Sequence, residues 1–487
     1  MRDSPRGEES VVERFAPLFS PRTVAVVGAS ARATAQGNRF IRQLRDFGFE
    51  GAIYPVHPSE TMIEGLPAYP SLADTPEPID YTFIAIASER VPNLLAAAKG
   101  RVRFAQVMSS GFGESETGRE LEKDLVKAAH QGGMRLIGPN CMGTYSARGR
   151  LTFVEGGRDV PGNVGVMSQS GGLAMDLLLR GRGRGLHYSG VVSLGNCADL
   201  AADDFLEYFL ADPETQVIGA YLEHVANGRH FFEQLRTAKA RKPVVILKGG
   251  RTRQGARAAA SHTGSLADND QVWLALSKQT GAILVDTLED FIDTLVAFQA
   301  YAPRVAAPTG RVVLFGNGGG ASVLATDFLA KVGLDVAPLD AATAQALARL
   351  ELPAGASVAN PIDIPANILQ KDRGAIAQKI LEVIALSAGA DSILMHLNVP
   401  VLLGYRDVDM LTDVIEAAIR AKEAIEGRTH LSLALRSNGE PEAERRKRES
   451  RLRAMKAGIP VFDEIPNQAR ATAAVYGFER FRAKRSS

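Results

Sequence analysis

The chain has 487 residues, of which 45% are hydrophobic and 23% charged, with 56 Lys plus Arg against 55 Asp plus Glu. That balance describes a globular protein of two to four domains and excludes a chain-wide field that would attract nucleic acid or a membrane surface. Two cysteines, Cys141 and Cys197, exclude a disulfide framework and a cysteine zinc cage.

Met1 to Phe15 is charged and lacks the apolar stretch of a signal peptide, and no uncharged apolar run reaches spanning length, so a cytoplasmic protein is expected. Short β-branched runs alternate with longer helical patterns, the mark of parallel sheets with crossover helices. The first block opens with Thr23–Val27 and continues through strands near Ala52–Tyr54, Tyr81–Ala85, Ala105–Met108 and Arg135–Ile137. The second starts at Asn163–Met167 and adds strands near Val191–Ser193, Val217–Leu222, Val244–Leu247 and Ile283–Val285. A Pro/Ala stretch from Tyr301 to Thr309 reads as a linker. The third block begins at Arg311–Phe315 and runs through strands near Asp391–Met395 and His430–Leu435. The expected domains are therefore 1–147, 148–302 and 310–487, with 303–309 between the last two.

Each block carries a glycine turn directly after its first strand. In Val26-Val-Gly-Ala-Ser30, Gly28 and Ser30 would let backbone amides approach a phosphate at a helix start. The G-x-G-x-x-G pattern is incomplete, and Tyr54-Pro-Val-His-Pro58 offers no acidic ribose ligand, which disfavours a nicotinamide cofactor. The second turn, Ser168-Gln-Ser-Gly-Gly-Leu-Ala174, supplies Ser168, Ser170, Gly171 and Gly172. The third, Gly316-Asn-Gly-Gly-Gly-Ala-Ser322, supplies Gly318, Gly319 and Gly320. Unpaired amides and the macrodipole at such starts favour an anion, and two in consecutive domains suggest one shared by both; a plain cap with glycines for close packing uses the same residues.

Among eight histidines, His262 stands apart because Ala258-Ala-Ala-Ser-His-Thr-Gly-Ser-Leu-Ala267 leaves its imidazole unshielded. Upstream, Lys248-Gly-Gly-Arg-Thr-Arg253 is a basic turn suited to screening phosphate charge. A neutral imidazole there could take a phosphoryl group, a reaction that needs mainly positioning and charge stabilisation. A carboxylate on the other ring nitrogen would fix its tautomer; Glu223, at the end of Val217–Leu222, is the candidate, and a solvent-facing strand-end acid is the alternative.

Taken in order, Gly28-Ala-Ser30, Tyr54-Pro-Val-His-Pro58, Ile137-Gly-Pro-Asn-Cys-Met-Gly143, Ser168 to Ala174, Ser193-Leu-Gly-Asn196, Ser261-His-Thr-Gly264, Asn317-Gly-Gly-Gly320 and Asn360-Pro-Ile-Asp363 resemble the α-type part of NDP-forming (ADP-forming) acyl-CoA synthetases, the acetyl-CoA and succinyl-CoA synthetase superfamily. The resemblance implies an α/β protein: a Rossmann-like CoA-binding domain followed by two flavodoxin-like parallel-sheet domains. It implies CoA contacts at Gly28, Ser30, Pro55, His57, Ile86, Ser88, Pro139 and Asn140, a phosphate held by the paired helix starts, a phosphohistidine at His262 and its orienting carboxylate at Glu223. In the implied reaction ATP phosphorylates His262, a small carboxylic acid takes the phosphoryl group, and CoA displaces phosphate. Where the family often has Asn and Lys, this chain has His57 and Ser59. No stretch resembles an ATP-grasp domain, which needs roughly 200 residues more. The resemblance therefore implies a hetero-oligomer in which an ATP-grasp β-type subunit brings ATP/ADP and Mg2+, with no metal site on this chain.

Several features point elsewhere. Arg445-Arg-Lys-Arg448, interleaved with glutamates, reads as a solvated helix face, and Arg180 to Gly185 as a helix-to-strand loop. Cys141 reads as a small buried residue beside the thiol path. Two rival functions use the same scaffold: a non-catalytic CoA- or acyl-CoA-binding regulator, and a CoA-transferring enzyme that needs no nucleotide.

Overall fold

A computed structural model describes residues 9–32, 34–114, 118–156, 159–263, 270–352, 355–369, 371–386, 390–405, 407–425 and 427–486. The chain divides into two compact units, one running up to Gly181 together with His187–Asp286, the other holding Arg182–Leu186 and Thr287–Ser487.

The first unit contains two sheets. In one, β1 (Thr23–Val27), β2 (Ala52–Val56), β5 (Ile79–Ile84), β6 (Val102–Val107) and β7 (Arg135–Ile137) lie parallel in the order β2-β1-β5-β6-β7. A two-stranded hairpin, β3 (Met62–Ile63) and β4 (Leu66–Pro67), follows β2. The other sheet contains β8 (Gly143–Tyr145), β9 (Val164–Ser168), β10 (Tyr188–Ser193), β11 (Val217–Leu222), β12 (Val244–Lys248) and β13 (Ile283–Val285), ordered β13-β12-β11-β9-β10-β8. All are parallel except β8, which pairs antiparallel with β10. The parallel strands are near-continuous apolar runs because helices cover both faces.

What joins the two sheets is the helix Val11–Phe19. Its Phe15 and Phe19 are fully buried, with Phe19 stacked on Tyr208 at 4.3 Å and Phe15 edge-on to Phe205 at 5.7 Å. Each fully buried Phe contributes roughly 2–3 kcal/mol, and one hydrophobic cluster runs from Val24 and Phe104 to Phe209 and Ile246. The loop after β10 is also bonded to the end of β7, through Asn196 N–H to Pro139 O at 2.9 Å and Ala198 N–H to Gly138 O at 3.0 Å. Strand β8 thus belongs to the second sheet although it lies before the expected boundary at 147.

The second unit holds β14 (Val312–Gly316), β15 (Ile362–Asp363), β16 (Ser392–Asn398), β17 (His430–Arg436) and β18 (Val461–Phe462), parallel in the order β15-β14-β16-β17-β18. In all three sheets the first of the parallel strands lies between the second and third of them, which is the flavodoxin-like order and places a ligand crevice at the carboxyl ends of the strands. The helix Leu288–Ala300, expected in the second domain, groups with this unit: Arg470 pairs with its Asp290, and Asn467 donates to its Asp293 at 2.7 Å. The expected linker is pinned rather than loose. Buried Glu479 accepts from Arg304 N–H at 2.7 Å and Thr309 N–H at 2.6 Å, and Tyr301 stacks on His430. Among the described residues no helix is long and apolar enough to cross a membrane.

Candidate active site

The residues expected around CoA gather at the carboxyl ends of the first sheet. Gly28 follows β1 at φ +99°, and a Cβ there would stand 2.2 Å from Ala85 O, so no other residue fits this turn without moving the backbone after β5. Buried Asn38 shapes the turn: its Oδ1 accepts from Ser30 N–H at 2.9 Å, and its Nδ2 donates to Ser30 O and Glu64 Oε1, both at 2.8 Å. The next amide, of Ala31, donates to the Glu60 carboxylate. A carboxylate thus occupies an amide of the turn that sequence reasoning left for phosphate. Pro55 lies within β2, and His57 just beyond it accepts at Nδ1 from Glu60 N–H at 3.1 Å, so its ring closes its own loop. Ile86 O accepts from the Ser109 hydroxyl, and Ser88 is buried at the start of a short 3-10 helix.

Pro139 and Asn140 follow β7. Asn140 N–H donates to Ser109 O at 3.1 Å, and a Cβ on Gly195 would meet Pro139 O at 2.2 Å. That close approach brings the first sheet's end against the loop after β10 in the second sheet. Between them lies a cavity of about 410 Å3, lined by Asn140, Cys141 and Met142 on one side and by Ser170, Gly171, Gly172, Cys197 and His224 on the other. Its described lining holds no lysine, arginine, aspartate or glutamate.

On that cavity the helix Gly171–Gly183 begins. Ser170 caps it, its Oγ accepting from Leu173 N–H at 3.3 Å, while the Gly172 Cβ position is open. Ser168 behaves differently from its neighbours: it is fully buried and its hydroxyl donates to Ser170 O at 2.8 Å, which shapes the turn from beneath rather than facing a ligand. Gln169, which sequence reasoning passed over, ties the turn to the end of β11. Its Nε2 donates to His224 O at 2.7 Å, and its Oε1 accepts from the amides of Glu223 and of His224, the latter at 2.9 Å.

Glu223 follows β11, and its Oε1 accepts from Tyr221 Oη at 3.0 Å; burial, then the neighbouring carboxylate, push the Tyr221 phenol far up. The expected basic turn is engaged by the protein instead. Buried Lys248 donates to Glu223 O at 2.8 Å and to Gly249 O at 2.5 Å, and its ammonium lies 5.6 Å from the Trp273 ring centre. Arg251 pairs with Asp270 at 2.5 Å and with Asp286, contacts that no local pattern shows. His262 falls within the helix Arg253–Thr263, but its side chain and Gly264 lie outside the described residues.

Both thiols at the cavity are held protonated. Burial pushes Cys197 up to about 12 and Cys141 higher still, which agrees with a small buried residue and not a nucleophile at Cys141. Beside them, Asn196 donates to Glu114 at 2.7 Å and to Glu122 at 2.8 Å. Burial works against ionised Glu114, yet the Asn196 bond and loop amides hold its carboxyl below the ordinary range.

The third glycine turn belongs to the second unit. Gly318, at φ +122°, donates its amide to Asp363 Oδ1 at 2.8 Å, so a carboxylate stands at the start of the helix Gly319–Lys331. Gly319 would place a Cβ 2.9 Å from Asp363 Oδ2, and at Gly320 the space is open. Two residues that sequence reasoning missed brace this turn. Fully buried His396 meets Ser322 Oγ at 3.0 Å, and Arg436 Nη2 donates to Asn317 O at 3.0 Å. Burial and then Arg436 hold His396 down at about 3, so the ring is neutral.

Other expectations are adjusted. Arg180 to Gly183 form the last turn of the helix Gly171–Gly183 rather than a loop. Arg184 pairs with Asp293 and Glu289, both at 2.5 Å. Arg445 does lie on a solvated face between Glu442 and Glu449, but Lys447 is buried against Asp463 at 2.6 Å.

Residues 22–147 match the CoA binding domain family, and residues 161–298 match the succinyl-CoA ligase like flavodoxin domain. The α subunit of ADP-forming acetate–CoA ligase I from Pyrococcus furiosus is 33% identical over 486 residues, covering 96% of this chain and 98% of its own length. The α subunit of ligase II from the same organism is 33% identical over 420 residues, covering 85% of this chain and 89% of its own. The acetyl-coenzyme A synthetase 1 of Ca. Korarchaeum cryptofilum, solved with phosphate and ADP, superposes with a TM-score of 0.83 at 32% identity, over 97% of this chain and 98% of that one.

Proposed function

Because the chain belongs to the ADP-forming acyl-CoA ligases and matches their α subunits along nearly its whole length, we propose that it joins a small carboxylic acid to CoA through a phosphohistidine at His262 and an acyl phosphate. The observation that carries this reading is the cavity in which Asn140, at the end of the CoA-binding sheet, faces the helix start at Ser170, Gly171 and Gly172. Acyl transfer to CoA needs the thiol and an activated acyl group to meet beside a site that stabilises phosphate, and a helix start does so without a fixed cation.

In the synthetic direction the γ-phosphoryl of ATP moves to the imidazole of His262 and ADP leaves. A carboxylate oxygen of the acid attacks phosphorus, the P–N bond breaks, and an acyl phosphate results. The CoA sulfur then attacks the acyl carbon and phosphate departs. Glu223, braced by Tyr221 and by its amide on Gln169, would fix the imidazole tautomer. The helix start at Gly318, Gly319 and Gly320 would serve as a second anion site only through the amides beyond Gly318, whose own amide Asp363 takes. A partner subunit of ATP-grasp type would bring the nucleotide with its Mg2+, a reading supported by the subunit names of the Pyrococcus relatives.

The test incubates the chain and an ATP-grasp partner with ATP labelled at its γ-phosphoryl. Acid-labile label on this chain, lost in His262→Asn, is the expected result. Label that survives the substitution removes His262 from the reaction, and CoA binding with no label at all turns the protein into a binding scaffold.

A further inference from the structure

One imidazole on the cavity has no part in the reaction outlined above. His224 follows Glu223 at the end of β11 and lines the cavity alongside Ser170 and Asn140. Its backbone is held on both sides by Gln169, through N–H to Oε1 at 2.9 Å and C=O from Nε2 at 2.7 Å. Gln169 sits between Ser168 and Ser170, so His224 is fixed relative to the turn that opens the helix.

The ring nitrogens are unequal. Nδ1 is buried and has no hydrogen-bond partner among the described residues. A proton there would be a buried donor with nothing to accept it, and orphaned buried N–H groups are rarer than unfilled acceptors. The neutral ring therefore keeps its proton on Nε2.

Few other donors remain for an oxygen anion in this cavity. Its described lining has no lysine or arginine. The Asn196 amide donates to Glu114 and Glu122, and that of Gln169 to His224 O and Cys197 Sγ. What is left is the Asn140 amide, the Ser170 hydroxyl, the first amides of the helix and the His224 ring.

Resting on the ligase reading, we propose that His224 donates from Nε2–H to an oxygen of the acid's carboxylate, and then to the carbonyl oxygen of the acyl phosphate. When the CoA sulfur attacks, the C–S bond forms and charge gathers on that oxygen. The C–O bond to phosphorus then breaks, its electron pair leaving with phosphate, and the thiol proton passes to solvent. The His224 proton stays in place and strengthens its bond as charge develops.

His224→Leu and His224→Gln, each with the ATP-grasp partner, test this by two readouts: phosphohistidine labelling from ATP without acid, and acyl-CoA formation with the acid varied. Labelling stays at the unsubstituted level in both variants. kcat/KM for the acid falls about tenfold to a hundredfold in His224→Leu, as for a lost hydrogen bond to a charged group. His224→Gln keeps most of the activity, because its amide still donates. Unchanged kcat/KM in His224→Leu overturns the proposal, and so does a glutamine variant as impaired as leucine, since that points to proton transfer. If leucine impairs folding, His224→Asn provides the shorter amide, and equal kcat/KM for Asn and Gln then counts against the donor role. Absence of label in the unsubstituted protein speaks against the ligase reading itself.

Discussion

The clamp formed by Gln169 can be measured directly. Gln169→Leu removes the bond to His224 O, the two accepted from the Glu223 and His224 amides, and the weak contact to Cys197 Sγ, while nearly preserving side-chain volume. Three backbone groups lose their partner at about 1 kcal/mol each, a total of about 3 kcal/mol. Against a domain stability of roughly 5–15 kcal/mol the variant still folds. With a urea slope of about 2–3 kcal/mol per molar, the unfolding midpoint falls by about 1 M. The chain's single tryptophan, Trp273, reports on the affected region, because Lys248 beside its ring also holds Glu223 O. Urea unfolding followed by Trp273 fluorescence is therefore the assay. Acyl-CoA formation should drop more steeply than stability, since the helix start and the Glu223–His224 segment lose their common anchor. A midpoint equal to that of the unsubstituted protein refutes the clamp, and lost stability with full activity refutes its link to the site.

Three further outcomes are expected. Gly28→Ala meets Ala85 O and adopts a positive φ at a cost of roughly 1–3 kcal/mol, so CoA affinity measured by calorimetry falls at least tenfold, and unchanged affinity would place CoA elsewhere. With Cys197 raised to about 12 and Cys141 higher, the thiolate fraction of either at about pH 8 is on the order of one in ten thousand or less. Iodoacetamide, followed by mass spectrometry, then leaves both intact in the folded protein and modifies both in urea, and rapid native labelling of either contradicts its raised pKa. His396, held at about 3, takes up a proton more readily unfolded than folded. The second unit therefore keeps this contribution above about pH 6.5 and loses up to about 1.4 kcal/mol per pH unit as pH falls toward about 3. Urea midpoints by circular dichroism should show that loss and a flatter profile in His396→Gln, and equal slopes would remove His396 as its source.

Strands buried on both faces announce themselves as runs of apolar residues, which is why Thr23–Val27, Val217–Leu222 and His430–Leu435 were legible from the chain. Strands of two residues were not: Ile362–Asp363 and Val461–Phe462 exist because a neighbour offers them a partner, not because of their own pattern. The same held at the site. The glycine turns stood out because small residues after a strand are a local signal, Glu223 because it is an acid at a strand end, and Asn140 only through the family resemblance. His224 and Gln169 lay inside or beside quoted motifs and still went unread, since their meaning comes from each other across 55 residues of chain.

The sequence by itself determined the alternation of strand and helix, the three glycine turns and the types of residue available for phosphoryl chemistry, because these depend on backbone sterics and side-chain period within a few residues. Tertiary structure alone decided which carboxylates stand on the turns at Ala31 and Gly318, which cations of the basic turn are engaged, and which helix start shares a cavity with Asn140. Charge pairing and close approach are settled by distances between segments far apart in the chain, and no local period encodes them.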